Sequence, residues 1–279
     1  KGYFDTKIVY ISERGSPKNR IKKIAIMDYD GSNLQYITNG QDLVLTPRFS
    51  PDNSKIIYLS YEDKFPRVYL YNLETQEKVM VGTFIGLSFA PRFSPSGNQA
   101  AISIAKSGHT NIYEIDFNSK KIRQITDHYS INTSPSYSPD GKHIVFNSDR
   151  SGSKQLYIMN RLGQDIKRIS FNQGSYSSPL WSPQGDYIAF IKTSPDFGFT
   201  LGIMKQDGSE ERILTSGYLV ESPTWSPSGR YILFTKSDKP SKGGFTKTRI
   251  NRIDSTGFNE LTLQIKGEAS DPNWSKLLD

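Results

Sequence analysis

Short hydrophobic segments alternate with turn-forming residues along the whole chain. Segments such as 56–59, 144–146 and 188–191 are rich in β-branched and aromatic residues, and each follows a turn rich in Ser, Pro, Asp or Gly. No apolar run approaches the roughly 18 residues that a membrane-spanning helix requires. The pattern therefore predicts an all-β chain of many short strands and no transmembrane segment.

The turns recur at a fixed interval. In five copies of the motif aromatic-Ser-Pro, the serines are spaced by 44 residues, and a degenerate sixth copy, Asn-Trp-Ser, follows after 49. A proline precedes each serine by three residues. Self-similarity at this period is typical of propellers and solenoids. The repeated serines are Ser50, Ser94, Ser138, Ser182, Ser226 and Ser275, and the repeated prolines are Pro47, Pro91, Pro135, Pro179, Pro223 and Pro272.

Each repeat predicts four strands. Ser-Pro-Asp-Gly favours a type I turn that joins a first strand to a second. A proline inside the first strand is tolerated at a sheet edge, and in a propeller blade the innermost strand is such an edge. We expect the aromatic residue two positions after the proline to pack between neighbouring blades. These aromatic residues are Phe49, Phe93, Tyr137, Trp181, Trp225 and Trp274.

The two ends of the chain carry complementary parts of one repeat. Residues 7–12 match the second strand at 55–60, whereas residues 271–275 match a first strand. The sequence thus predicts a six-bladed β-propeller with four strands per blade, closed by the C-terminal strand joining the N-terminal three strands. We expect residues 1–279 to form one domain, without a linker.

Charge and composition narrow the function. The net charge of +7 favours acidic partners, although a well-solvated basic surface explains it as well. The chain has no cysteine, and its three histidines are scattered over different repeats. No nucleophile elbow, phosphate loop or zinc motif occurs. We therefore expect a monomeric, non-enzymatic protein without cofactor or metal. We expect no nucleic-acid binding either, because the repeated aromatic residues occupy packing positions.

The loops that enter the first strands and those that join the second and third strands emerge on one face of a propeller. The first set combines apolar and small polar residues, and the second is rich in Lys and Arg, which together favour docking of an acidic peptide or loop. The alternative interpretation is that these loops are simply polar, but Leu87, Phe89, Tyr176 and Val220 argue against it. The candidate partner-binding residues are Leu87, Ser88, Phe89, Ala90, Asn132, Thr133, Ser134, Tyr176, Ser177, Ser178, Val220, Glu221, Ser270 and Asp271.

The repeat Pro-x-aromatic-Ser-Pro-Asp-Gly, the following strand at 142–152 and the closing Ile-Arg-Gln-Ile-Thr at 122–126 resemble the TolB propeller repeat. The resemblance implies a periplasmic protein of the Tol-Pal envelope-integrity system that binds the lipoprotein Pal at the channel mouth. It also implies contact with TolA through an N-terminal segment that, like the family's N-terminal α/β domain, is absent from this sequence. Leu87 and Phe89 depart from the small or polar residues common at the family's binding rim.

Two functions remain open at this point. The first is the binding module just described. The second is the gating propeller of a prolyl oligopeptidase-like serine peptidase, which shares this type of repeat and requires a hydrolase domain elsewhere in the polypeptide.

Overall fold

The computed structural model describes residues 5–16, 19–62, 65–83, 88–240 and 246–278, and only the backbone of residues 83 and 88–90. This part of the chain forms six antiparallel sheets of four strands each. Blade 1 contains β1 (Lys7–Arg14), β2 (Ile21–Asp28), β3 (Gln35–Tyr36) and β24 (Glu268–Trp274), and blade 2 contains β4 (Val44–Phe49), β5 (Lys55–Ser60), β6 (Arg67–Asn72) and β7 (Lys78–Thr83). Blade 3 contains β8 (Ser88–Phe93), β9 (Gln99–Lys106), β10 (His109–Asp116) and β11 (Ile122–Gln124), and blade 4 contains β12 (Asn132–Tyr137), β13 (His143–Ser148), β14 (Gln155–Asn160) and β15 (Lys167–Arg168). Blade 5 contains β16 (Ser175–Trp181), β17 (Tyr187–Ser194), β18 (Gly198–Lys205) and β19 (Arg212–Gly217), and blade 6 contains β20 (Leu219–Trp225), β21 (Tyr231–Ser237), β22 (Thr248–Asp254) and β23 (Leu261–Thr262).

The predicted six-bladed propeller is confirmed, including the way the ring closes. β24 pairs antiparallel with β1, with Trp274 opposite Ile8, so blade 1 is built from both ends of the chain. The backbone N–H of Lys7 also donates to the Ser275 hydroxyl at 2.8 Å. Closure pairs two strands whose edges would otherwise be exposed. Among the described residues, no helix is long and apolar enough to cross a membrane.

The hydrophobic core lies between the blades, in six clusters, one at each boundary between neighbouring sheets. Each repeated aromatic residue joins the cluster between its own blade and the preceding one, as predicted. Trp274, for example, stacks on Tyr29 with 5.3 Å between ring centroids and donates to Thr6 Oγ1 at 2.9 Å. Each sheet face is thus buried by its neighbour.

In the inner strands, the repeated proline lies in a β-bulge, where the pairing with the second strand shifts by one residue. In blade 2, Leu45 pairs with Leu59 and Arg48 with Ile57, so Thr46 and Pro47 together oppose Tyr58 alone. The residue before the proline is left-handed, with φ of 50° at Thr46. The inner strand lies at the edge of each sheet, as expected. The bulge also places the proline, which has no N–H, where no ladder hydrogen bond is required. The equivalent left-handed residues are Ser134, Ser178, Ser222 and Asp271.

Candidate functional site: the channel mouth

The inner strands surround a central channel with two openings. We call the opening where the inner strands begin the mouth. The mouth leads into a cavity of about 280 Å³, whereas the Ser-Pro turns line a second cavity of about 300 Å³ at the opposite end. Arg48 and Arg92 line both cavities and therefore lie between them. The mouth cavity is lined by Leu45, Thr46, Arg48, Leu59, Tyr61, Arg92, Ser134, Ser178, Pro179, Ser222 and Asp271.

The residues that follow the repeated prolines form what we call the belt: Arg48, Arg92, Ser136, Leu180, Thr224 and Asn273. Three of them accept a hydrogen bond from the backbone N–H of the next blade's aromatic residue. Ser136 accepts from Trp181 at 3.2 Å, Thr224 from Trp274 at 3.4 Å, and Asn273 from Phe49 at 2.8 Å. The side chains of Arg48, Arg92 and Leu180 carry no acceptor and cannot make this bond. The belt therefore joins adjacent inner strands only where its residue is a hydroxyl or an amide.

Arg48 and Arg92 place two positive charges in the channel. Arg48 is 4% exposed, and its Nη1 donates to the carbonyl oxygens of Pro47 at 2.7 Å and Asp271 at 3.5 Å. Burial lowers the pKa of Arg48 and lowers that of Arg92 well below its ordinary value, with the neighbouring charge of Arg48 adding to the effect at Arg92. Among the described residues, neither arginine forms a salt bridge. Arg48 is therefore buried and Arg92 half-buried, and neither has a direct counter-ion among the described residues.

Two carboxylates, Glu221 on β20 and Asp271 on β24, lie on adjacent inner strands at the mouth. Ser222 donates to Asp271 Oδ1 at 2.5 Å, and the backbone N–H of Asp271 donates to Thr235 Oγ1 at 3.0 Å. The Glu221 side chain is exposed. Partial desolvation, and then the negative charge of Asp271, raise the pKa of Glu221 to about 7. In the described ranges, no group of three or more histidine and acidic residues is arranged to hold a metal ion.

The structure places part of the predicted partner-binding set at the mouth. The side chain of Glu221 is exposed, and those of Thr133, Ser134, Ser177, Ser178 and Asp271 are partly exposed. Leu87 lies outside the described residues, and so do the side chains of Ser88, Phe89 and Ala90. The assignment of these positions to a partner-binding surface stays a prediction.

The expectation that Tyr176 and Val220 face water is wrong. Val220 is fully buried in the core between blades 5 and 6. Tyr176 is also fully buried, with its hydroxyl donating to the Glu211 carboxylate at 2.8 Å. Alternate side chains of a strand point to opposite faces of the sheet, and in a propeller both faces are covered by neighbouring blades.

Asn132 and Ser270 are likewise buried and support the mouth rather than line it. Asn132 Nδ2 donates to Asn111 Oδ1 at 3.0 Å, and its Oδ1 accepts from Arg150 Nη2 at 2.9 Å. Ser270 donates to Glu13 Oε1 at 2.5 Å. The polar atoms of both side chains form hydrogen bonds inside the protein. Both side chains are therefore inaccessible to a partner in this conformation.

Several residues of the mouth cavity were not among the sequence candidates. They are Leu45, Thr46, Arg48, Leu59, Tyr61, Arg92, Pro179 and Ser222. The arginines could have been found from the sequence. In each repeat the aromatic residue packs toward the preceding blade, so the side chain of the residue before it points to the opposite face of the sheet. Comparing that position across the six repeats singles out Arg48 and Arg92.

The loops around the mouth carry exposed basic residues. Lys106, Lys154, Lys239 and Lys247 are exposed, and among the described residues none of them forms a salt bridge. Other basic residues of these loops are paired: Arg20 Nη1 lies 3.0 Å from Glu13 Oε2, and Arg67 Nη1 lies 3.8 Å from Glu62 Oε2. In these loops, the charges without a salt bridge among the described residues are therefore carried mainly by lysine.

Comparison with known proteins agrees with this architecture. Residues 1–278 match the family model of the TolB beta propeller domain. Over 90 residues the chain is 58% identical to the Tol-Pal system protein TolB of Pelagibacter ubique (strain HTCC1062), an alignment that spans 32% of this chain and 20% of that protein. The crystal structure of TolB from Acinetobacter baumannii is similar with a TM-score of 0.88 and 28% identity, over 99% of this chain and 68% of that one. The structure of putative TolB from Agrobacterium tumefaciens shares the fold, with a TM-score of 0.70 and 21% identity over 97% of this chain and 92% of that chain. The chain belongs to the TolB β-propeller domain family.

Proposed function

We propose that this chain is the docking propeller of a periplasmic TolB-type component of the Tol-Pal system, and that it binds a Pal-type lipoprotein at the channel mouth without catalysing a reaction. The observation that carries the proposal is the mouth itself, a cavity of about 280 Å³ whose wall combines Leu45 and Tyr61 with a ring of small hydroxyl side chains. Concave sites of mixed polarity are typical of ligand and loop recognition. The similarity to TolB proteins favours this function over the peptidase alternative.

Charge supports the same surface. The unpaired lysines Lys106, Lys154, Lys239 and Lys247 surround the mouth, and the chain carries a net charge of +7. A partner of acidic character is therefore attracted over distances of about 8 to 10 Å at physiological salt. The charge sets the association rate more than the final affinity, which depends on the contacts made inside the mouth.

The proposal is tested by titrating the chain with the soluble domain of a Pal-type lipoprotein, using isothermal calorimetry. Ser177→Arg places a long charged side chain at a partly exposed mouth position whose hydroxyl makes no hydrogen bond to another described residue. We expect at least about a tenfold loss of affinity, since a misplaced bulky charge at an interface centre costs more than about 1.4 kcal/mol. Phe89→Ala tests the predicted apolar contribution of blade 3 in the same assay.

Asn98→Arg is the matched control. It adds the same charge and bulk to the exposed turn between β8 and β9, on the opposite face of the ring, and should leave the affinity unchanged. Circular dichroism melting checks that all variants fold. Equal affinity of wild type and Ser177→Arg, or a loss shared by Asn98→Arg, contradicts a partner site at the mouth.

A further inference from the structure

The inner strands carry an imbalance of charge in two consecutive layers of the channel. One layer is the belt, with two arginines and four uncharged residues. The layer above it, formed by the residues before the prolines, contains Asp271 as its sole ionisable residue. These twelve positions therefore hold two positive charges and one negative charge. The residues of the upper layer are Thr46, Ala90, Ser134, Ser178, Ser222 and Asp271.

The donors of the two arginines are only partly used. Arg48 Nε is buried and has no hydrogen-bond partner, although Nη1 donates to two carbonyl oxygens. No hydrogen bond or salt bridge joins Arg92 to another described residue. Asp271 favours the charged form of both guanidinium groups, but its Oδ1 already accepts from Ser222. A buried charge without a hydrogen-bonded counter-ion is costly, so this arrangement favours an additional anion.

The cavity beside the arginines defines the size and character of that anion. It measures about 280 Å³, and the side chains of Leu45, Leu59, Tyr61 and Pro179 supply an apolar wall. Guanidinium groups match the planar geometry of a carboxylate and bind it through paired hydrogen bonds. One monovalent carboxylate also supplies the missing negative charge, and an apolar body of a few carbon atoms fits against the wall.

We propose that the channel between Arg48 and Arg92 is a binding site for one carboxylate group attached to a small apolar body, which enters from the mouth. The carboxylate bridges the two guanidinium groups, and the hydrocarbon part contacts Leu45 and Tyr61. Glu221 and Asp271 lie on adjacent inner strands at the mouth, with Asp271 next to Arg48. They limit the site to one negative charge and disfavour multivalent anions such as phosphate.

The proposal is tested with sodium butyrate as the probe and with acetate, phosphate and chloride as comparisons, all at constant ionic strength. The melting temperature of the wild-type chain should rise with butyrate concentration, less with acetate, and least with chloride and phosphate. Arg92→Gln should weaken butyrate binding at least about tenfold, because it removes one charged pair of hydrogen bonds. Lys276→Gln removes a positive charge from the opposite opening and should leave the butyrate response unchanged.

Stability in the absence of butyrate separates a binding role from a structural one. If Arg48 and Arg92 are held ready for an anion, Arg92→Gln and Arg48→Gln should melt at the same temperature as the wild type or higher, because each removes a desolvated charge. Arg48→Lys provides a second test that keeps the charge but loses the planar donor geometry. A butyrate response that is absent in the wild type, or equal in wild type and Arg92→Gln, overturns the proposal.

The carboxylate has two possible sources, a free acid or an acidic side chain of a docked protein. Butyrate that competes with the partner protein identifies the side chain as the natural occupant. Simultaneous binding of both identifies a free acid. The carboxylate site does not depend on the proposed function, because the butyrate titration uses no partner protein. If the Ser177→Arg experiment fails, the butyrate result is unaffected.

Discussion

Apart from Leu180, the belt contains two kinds of residue at one position of the repeat, and their difference separates stability from binding. In blades 4, 6 and 1 the position holds Ser136, Thr224 and Asn273, which accept backbone hydrogen bonds from the next inner strand. In blades 2 and 3 it holds Arg48 and Arg92, which cannot accept such bonds. Three belt residues therefore join neighbouring blades, and the two arginines instead present hydrogen-bond donors to the channel.

In a repeat protein, different blades can serve stability or binding through one side-chain position while the backbone stays the same. The six inner strands β4, β8, β12, β16, β20 and β24 share the bulge at the repeated proline. Within this constant frame a single side chain per blade decides whether the position stabilises a blade boundary or binds a ligand. Stabilisation and binding then respond in opposite directions to substitution.

The largest effect is expected from Asn273→Leu, on the side of the belt that fastens blades. Asn273 accepts from Phe49 N at 2.8 Å and donates to Thr224 Oγ1 at 3.1 Å, so it links the inner strands of blades 6, 1 and 2. Losing both bonds and leaving the Phe49 N–H unpaired should lower the free energy of unfolding by about 3 kcal/mol. Urea unfolding measures this change.

Asn98→Leu is the control for Asn273→Leu. Asn98 is exposed in a turn, and its side chain has no hydrogen-bond partner among the described residues, so the substitution should change stability by less than about 0.5 kcal/mol. Similar losses in both variants would show that the belt contributes nothing special to the boundary between blades.

A smaller change of opposite sign is expected from Arg92→Ser. The substitution removes a desolvated charge and gives blade 3 the hydroxyl that Ser136 uses to accept from Trp181 N. The equivalent donor here is the backbone N–H of Tyr137, one repeat earlier. We expect the free energy of unfolding to rise by about 1 kcal/mol in the absence of added carboxylate. A fall in stability would instead show that Arg92 stabilises the boundary between blades, as Ser136, Thr224 and Asn273 do. The distinction between these residues and the arginines would then be wrong.

Much of this fold could be predicted from the sequence because a repeat reports the same structure six times. The 44-residue interval, the Ser-Pro turns and the split blade at the two ends were each sufficient to predict a feature that the structure confirms. The role of the aromatic residues was predictable for the same reason, since the boundaries between blades can bury six large rings that recur at nearly equal spacing. Periodicity therefore specifies what the blades have in common.

The candidate site was harder to predict because it depends on how the blades differ. Tyr176 and Val220 lie in segments at the mouth, yet their side chains point into blade boundaries, a direction that only the register of β16 and β20 determines. Conversely, Arg48 and Arg92 lie inside the repeated motif and resemble ordinary polar substitutions until the bulge places them beside the channel. Loop position alone was a poor guide to exposure.

The smallest effect concerns the mouth, where Glu221 is exposed and its pKa is raised to about 7. A carboxyl group whose pKa is higher in the folded chain than in the unfolded chain binds its proton more tightly when folded. Its contribution to stability is therefore present below about pH 4.5 and is lost as the pH rises toward 7. Glu221→Gln should remove this loss, so that the melting temperatures of the variant and the wild type diverge between pH 5 and 8.

Because the Glu221 side chain contacts solvent, the difference should be about 1 kcal/mol or less.

Asp271→Asn removes the charge that helps to raise the pKa of Glu221 and should shift the pH dependence of stability to lower pH. It also removes the one carboxylate that faces Arg48 and Arg92. If Asp271 partly neutralises Arg48 and Arg92 as we infer, Asp271→Asn should tighten butyrate binding. Glu221→Gln should tighten it less, because Asp271 belongs to the layer directly above the arginines. Equal effects of the two substitutions would instead mean that only the overall potential of the mouth matters, and that the belt does not define a discrete site.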